Sequence, residues 1–159
     1  MVYKALIVIA LLVLSGCAAT QWTATRTKAR TEALYPPSGQ FLEVDGHRVH
    51  YVTKGSGPDL VLIHGASGNL RDWTFDAVDR LAREYRVIAF DRPGLGYTPE
   101  LSTGGDSIFD QADLLARAAR ALGAERPIVV GQSYGGAVAL AWALRAPEQP
   151  AALVLLGAA

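Results

Sequence analysis

The chain is short of cysteine, of late histidine and of net charge, and it holds no long apolar run. Its 159 residues contain one cysteine, Cys17, so no intramolecular disulfide framework can staple it. The three histidines, His47, His50 and His64, all fall early, and no imidazole follows His64. The 15 basic residues balance 15 acidic ones, which removes any electrostatic case for nucleic acid or anionic lipid as a partner. The longest apolar run, Ala5–Leu14, is far below the about 20 residues needed to cross a hydrocarbon core of ~30 Å. Internal repeats and low-complexity tracts are absent as well. What is present is globular composition: 50% of residues are hydrophobic, which excludes a largely disordered chain.

The N-terminus reads as an export signal. Lys4 supplies a positive flank, and Ala5–Leu14 has the length of a secretory h-region. Leu14-Ser15-Gly16-Cys17 follows and resembles the bacterial lipobox. The resemblance implies that residues 1–16 are a signal peptide, cut just before an acylated Cys17. Several acyl chains there give stable membrane attachment, where one would be marginal. Ala18 stands where this group's inner-membrane retention signal is usually Asp, which favours the outer membrane if the source is Gram-negative. Residues 17–39 are rich in Thr and Ala and contain Pro36-Pro37, which reads as an extended tether with room for a short helix over Arg26–Leu34.

From residue 40 onward, strands and helices alternate. Phe41–Asp45 and Arg48–Thr53 alternate apolar and polar residues around Gly46, as in a hairpin. Leu60–Ile63, Arg86–Phe90, Pro127–Val130 and Ala151–Leu156 are short apolar runs, the pattern of parallel strands buried on both faces. Helical spacing covers 70–84, Ile108–Leu122 and 134–146. The second of these has Asp106 or Ser107 as its N-cap and Gly123 as its stop. A loop with Pro93, Gly94, Gly96, Pro99, Gly104 and Gly105 precedes it. The expected fold is α/β, a mostly parallel sheet with helices on both faces.

Gly131-Gln132-Ser133-Tyr134-Gly135 matches G-x-S-x-G between a buried strand and a helix, the context of a nucleophile elbow. Such a turn strains the serine backbone and leaves no room for side chains at Gly131 and Gly135. It presents the Ser133 hydroxyl above a helix N-terminus, where developing negative charge is favoured.

Leu62–Asn69 through Trp73, the run Asp91-Arg92-Pro93-Gly94-Leu95-Gly96-Tyr97-Thr98, and the Ser133 elbow together resemble the α/β-hydrolase fold family. The likeness is to its branch with a His-Gly oxyanion loop, and it spans about residues 40–157. It implies a catalytic Ser133 and an oxyanion hole formed by the backbone N–H groups of Ala66 and Tyr134. His64 and Gly65 then support the oxyanion loop, and His64 is not the general base. The triad order in this fold is Ser, acid, His, so Asp91, which precedes Ser133, is expected to fix the Gly-rich loop. His47 and His50 are expected to be ordinary hairpin residues far from the carboxyl edge of the sheet. A serine in the nucleophile position argues against the dehalogenases and epoxide hydrolases of the same branch, which attack with a carboxylate.

Serine is a weak nucleophile without an adjacent base. After Ser133 the only acid is Glu148, and there is no histidine. The expectation is therefore the N-terminal part of a serine hydrolase, with C-terminal strands, cap, acid and His missing, and inactive in this form. Its substrate would be a small acyl compound; no metal or organic cofactor is implied. The alternatives are a non-catalytic binding lipoprotein of the same fold, or a cofactor-free haloperoxidase or C–C hydrolase.

Overall fold

A computed structural model of the chain describes residues 2–101 and 106–158. Gly104 and Gly105 of the expected loop lie outside the described residues. The chain forms two compact units, Met1–Pro37 and Ser38–Ala159.

The first unit is one helix, α1 (Val2–Leu34). The expected tether is thus helical over most of its length rather than extended. Its threonines are accommodated within it. Thr20, Thr23 and Thr25 donate their hydroxyls to carbonyls three or four residues back, so each satisfies itself within the helix. Arg26 also lies over the Trp22 ring, 3.7 Å from its centroid. The helix stops ahead of Pro36, as the restricted backbone before proline requires. An 18-residue window of α1 reaches a mean hydropathy of 2.2, so helix length and composition suffice to cross a membrane although the apolar run alone does not.

The second unit begins with a hairpin, β1 (Gln40–Val44) and β2 (His47–Lys54). Asp45 and Gly46 both have positive φ, 50° and 80°, the signature of a type I′ turn. Then come β3 (Asp59–Ile63), α2 (Arg71–Thr74), α3 (Ala77–Leu81), β4 (Arg86–Phe90), α4 (Ile108–Ala121), β5 (Ile128–Gln132), α5 (Tyr134–Arg145) and β6 (Ala152–Leu156). The single helix expected over 70–84 is two short ones. The apolar stripe that suggested it included Phe75, which is 93% exposed and lies at the break. Helix α4 is capped by Ser107: its hydroxyl accepts from Asp110 N–H, and the Asp110 carboxylate accepts from Ser107 N–H.

The six strands lie in the order β1-β2-β4-β3-β5-β6. β3, β4, β5 and β6 are parallel, and β2 runs antiparallel to β4. Alternate residues of the central strands feed two cores. Ile63, Ile88, Phe90 and Val129 pack with Leu114 and Trp142 of α4 and α5 on one face. Leu60, Leu62, Val87 and Ala89 pack with Leu70 and Val78 on the other. β6 departs from the expected buried strand. It is the edge of the described sheet, and Val154, Leu155 and Leu156 are each more than 40% exposed. The parallel arrangement brings the residues that follow β3, β4 and β5 to one edge: His64, Asp91 and Ser133.

Candidate active site

Ser133 joins β5 to α5 with φ 51° and ψ −124°, a conformation that costs an L-residue of order 1–3 kcal/mol. Two hydrogen bonds hold it: Ser133 N–H donates to Leu156 O (2.9 Å), and Gly136 N–H donates to Ser133 O (2.8 Å). The flanking glycines are sterically required. A Cβ on Gly131 would collide with the backbone of Gly135 and Gly136, and one on Gly135 with the carbonyls of Ile63 and His64. Gly65 lies against the elbow, since a Cβ there would stand 3.3 Å from Ser133 Cβ. The strand order therefore sets the loop after β3 beside the nucleophile. Ala66 is exposed and Tyr134 half-buried. Among the described residues, neither of their backbone N–H groups donates to another backbone group.

His64 is fully buried. Its Nε2 accepts from Arg92 N–H (3.0 Å), so the proton resides on Nδ1, which donates to Gly65 O (2.9 Å). Both ring nitrogens are engaged, and none is left to take a proton from Ser133. Burial lowers the His64 pKa below 6.5; the Gly65 carbonyl opposes this, Arg92 adds to it, and Asp91 and Asp72 oppose it. The folded chain then keeps the imidazole neutral while the unfolded chain protonates it near pH 6.5. Stability from this group is complete above that value and falls as pH drops through it, by up to about 1.4 kcal/mol per pH unit. Urea unfolding at pH 7.5 and 5.5 should show the wild type losing more stability than His64→Gln over that interval. Equal losses would contradict the neutral buried imidazole.

Asp91 joins three segments. Its Oδ1 accepts from Leu70 N–H (2.7 Å), and its Oδ2 accepts from Tyr97 N–H (2.8 Å) and contacts His50 Nδ1 at 2.7 Å. His50 Nε2 accepts from Gly39 N–H (3.1 Å), and His50 N–H donates to Thr98 Oγ1 (2.9 Å). This corrects the placement of His50 far from the carboxyl edge. Because β2 runs antiparallel, Tyr51 pairs with Phe90 and His50 meets Asp91 just beyond the carboxyl end of β4. His47 remains a hairpin residue, paired with Val44.

Arg92 has no counterpart in the site residues read from sequence. It is 2% exposed and donates to His64 O (2.9 Å), Gly65 O (2.7 Å) and Gln111 Oε1 (2.8 Å). Its guanidinium carbon lies 4.8 Å from the Tyr134 ring centroid. Its sequence signals are a cation two residues past a buried strand and its place in the Asp91–Thr98 run. Ala66, Arg92, Gly94, Glu100, Gln111 and Tyr134 help line an open cleft of about 310 Å³. Among the described residues no cluster of three or more His, Cys, Asp or Glu side chains could hold a metal ion.

A family model described as alpha/beta hydrolase fold matches residues 58–159, the second unit from just before β3 onward. The chain belongs to the alpha/beta hydrolase fold family. Within it, the chain is 42% identical over 119 residues to a dihydrolipoyllysine-residue acetyltransferase component of the acetoin cleaving system from Cupriavidus necator, covering 74% of this chain and 31% of that one. It is 40% identical over 138 residues to a 2-hydroxy-6-oxononadienedioate/2-hydroxy-6-oxononatrienedioate hydrolase of Paraburkholderia phymatum, covering 84% and 48%. Among solved hydrolase folds, a membrane phospholipase A described as a bacterial virulence factor superposes with a TM-score of 0.71 at 31% identity, covering 100% of this chain and 53% of that one. The chain thus spans about half or less of the length of these two sequence relatives.

Proposed function

We propose that this chain carries the nucleophile and the oxyanion hole of a serine hydrolase. Ser133 attacks an acyl carbonyl, and the backbone amides of Ala66 and Tyr134 hold the oxyanion. The observation that carries the reading is the strained Ser133 backbone at the β5–α5 turn, directly against the Gly65 loop. Strain of that kind persists where the surrounding structure over-determines it, and it presents the hydroxyl at the head of α5. Neither His64, His50 nor Glu148 is placed to serve Ser133 as base or acid. His64 and His50 have both ring nitrogens occupied, and Glu148 lies beyond the far end of α5, roughly 18 Å along a 12-residue helix. The route is acyl transfer to water and needs no cofactor. A serine-directed fluorophosphonate tests it: the natural gene product should be labelled at Ser133, and labelling elsewhere or nowhere would count against the reading.

The membrane is part of the proposal. We place the hydrolase at a membrane through its N-terminus, exported and lipidated on Cys17, which is exposed and free. The likeness to a membrane phospholipase A that covers the whole chain, α1 included, supports this setting. It favours a membrane-lipid ester among acyl substrates. Cys17→Ser should abolish incorporation of a fatty-acid probe in a bacterial host; undiminished labelling would overturn lipidation at Cys17. A second reading, hydrolysis of a C–C bond beside a ketone, rests on the 40% identity to the Paraburkholderia phymatum enzyme. Turnover of a vinylogous diketone but not of phospholipid would favour it.

A further inference from the structure

We infer that Arg92 is a positioning residue of the oxyanion hole: its guanidinium fixes the Gly65–Ala66 peptide so that the Ala66 N–H faces the cleft. This rests on the serine-hydrolase reading and adds to it a residue that acts through the loop it holds.

The argument begins with peptide geometry. A trans peptide is planar, and its C=O and N–H point in opposite directions. The Gly65 carbonyl is drawn to Arg92 Nη2 (2.7 Å) and to His64 Nδ1 (2.9 Å). With that carbonyl held on the protein side, the N–H at the other end of the same plane, Ala66, is turned outward. Arg92 Nε holds the preceding carbonyl, of His64, in the same way (2.9 Å). Two successive carbonyls on one planar fork leave the loop little freedom to flip. The far side of the guanidinium is held by Gln111 at the start of α4 (2.8 Å).

The charge has its own consequence. Arg92 is 2% exposed, and among the described residues no carboxylate forms an ion pair with it. Neutral carbonyls and an amide oxygen carry the whole load of its desolvation, an arrangement that a purely structural role would not favour over a buried pair. The same cation lies over the Tyr134 ring, on the residue that bears the second oxyanion donor. One side chain therefore holds the carbonyl of the Gly65–Ala66 peptide and lies over the ring of Tyr134, placing a positive charge with no carboxylate ion pair among the described residues close to both amides.

The test uses the natural gene product with Arg92→Met and Arg92→Lys. Steady-state kinetics on an activated short-chain ester are read together with affinity for a trifluoromethyl ketone, whose adduct places an oxyanion in the hole. Removing one oxyanion donor outright costs about 10²–10³ in kcat, and misdirecting one should cost about 10–100-fold. Arg92→Met is expected to lose that factor in kcat, with KM changed less than about threefold, and to lose the same factor in ketone affinity. Arg92→Lys, which keeps the charge but only one directed bond, should recover part of it. Wild-type kcat in a folded variant, or a fall in kcat with ketone affinity unchanged, overturns the inference. Should Arg92→Met fail to fold, the kinetics of Arg92→Lys decide by the same criteria. A wild type labelled at Ser133 whose variants keep full kcat removes this inference alone; a wild type that neither turns over nor labels removes the serine-hydrolase reading and this one together.

Discussion

Ser133→Ala is expected to lower turnover of an activated ester by the natural gene product about 10⁴-fold or more. The change is unusually clean at this position. Alanine keeps the Cβ, so the strained backbone and the bonds to Leu156 and from Gly136 are kept, and only the Oγ is lost. What survives is the contribution of the oxyanion hole and of binding, which can still exceed the rate in water. Ser133→Gly separates the chemistry from the strain. Glycine accepts positive φ without penalty, so this variant should be equally inactive yet more stable than Ser133→Ala, by roughly 1 kcal/mol. Ester kinetics and thermal unfolding of the two variants check both halves. Retained turnover in Ser133→Ala would end the nucleophile assignment, and a Gly variant no more stable than the Ala variant would remove the claim of strain.

The elbow was legible in the sequence because its demands are local. Two glycines, a serine and the change from a buried run to helical spacing all fall within a few residues, and each follows from one tight turn. The hairpin turn around Gly46 and an N-cap at Asp106 or Ser107 were legible for the same reason, and the structure places the cap at Ser107. Arg92 was not legible, because its role lies in reaching a peptide 27 residues earlier in the chain. That approach exists only once β3 and β4 lie side by side. His50 was misplaced by a related step. Distance from the carboxyl edge was judged by position in the chain, but an antiparallel neighbour reverses direction and delivers its first half to that edge. Around 70–84 the apolar periodicity was real but Phe75 belonged to no core, and over 17–34 the composition of a tether concealed a helix whose threonine hydroxyls find partners within it.

Asp91→Ala should produce the largest loss of stability among single changes near the site, roughly 3–5 kcal/mol, a large part of the 5–15 kcal/mol that holds a typical domain folded. Asp91 is 1% exposed, and its removal takes the acceptor from the buried Leu70 N–H and His50 Nδ1–H and one acceptor from the half-buried Tyr97 N–H. Each orphaned buried donor costs about 1–3 kcal/mol, and a cavity adds to it. Neither near relative of Asp rescues the site. Asn has one acceptor oxygen, so its NH₂ must face either Leu70 N–H or the pair from Tyr97 and His50. His50 cannot switch tautomer to accommodate it, because Nε2 would then turn a proton toward Gly39 N–H. Glu is longer, and Gly96 is already so close that a Cβ on it would collide with the Asp91 carboxylate. Asn should therefore recover only part of the loss. The segments set free are the hairpin, the exit of the His64–Gly65 loop and the Gly-rich loop ahead of α4, so the oxyanion loop should loosen before the sheet melts. Urea unfolding gives the stability difference, and amide exchange at Leu70 and Tyr97 gives the order of events. A loss below about 1 kcal/mol, or an additive double variant with His50→Ala, would mean that these groups do not act as one network.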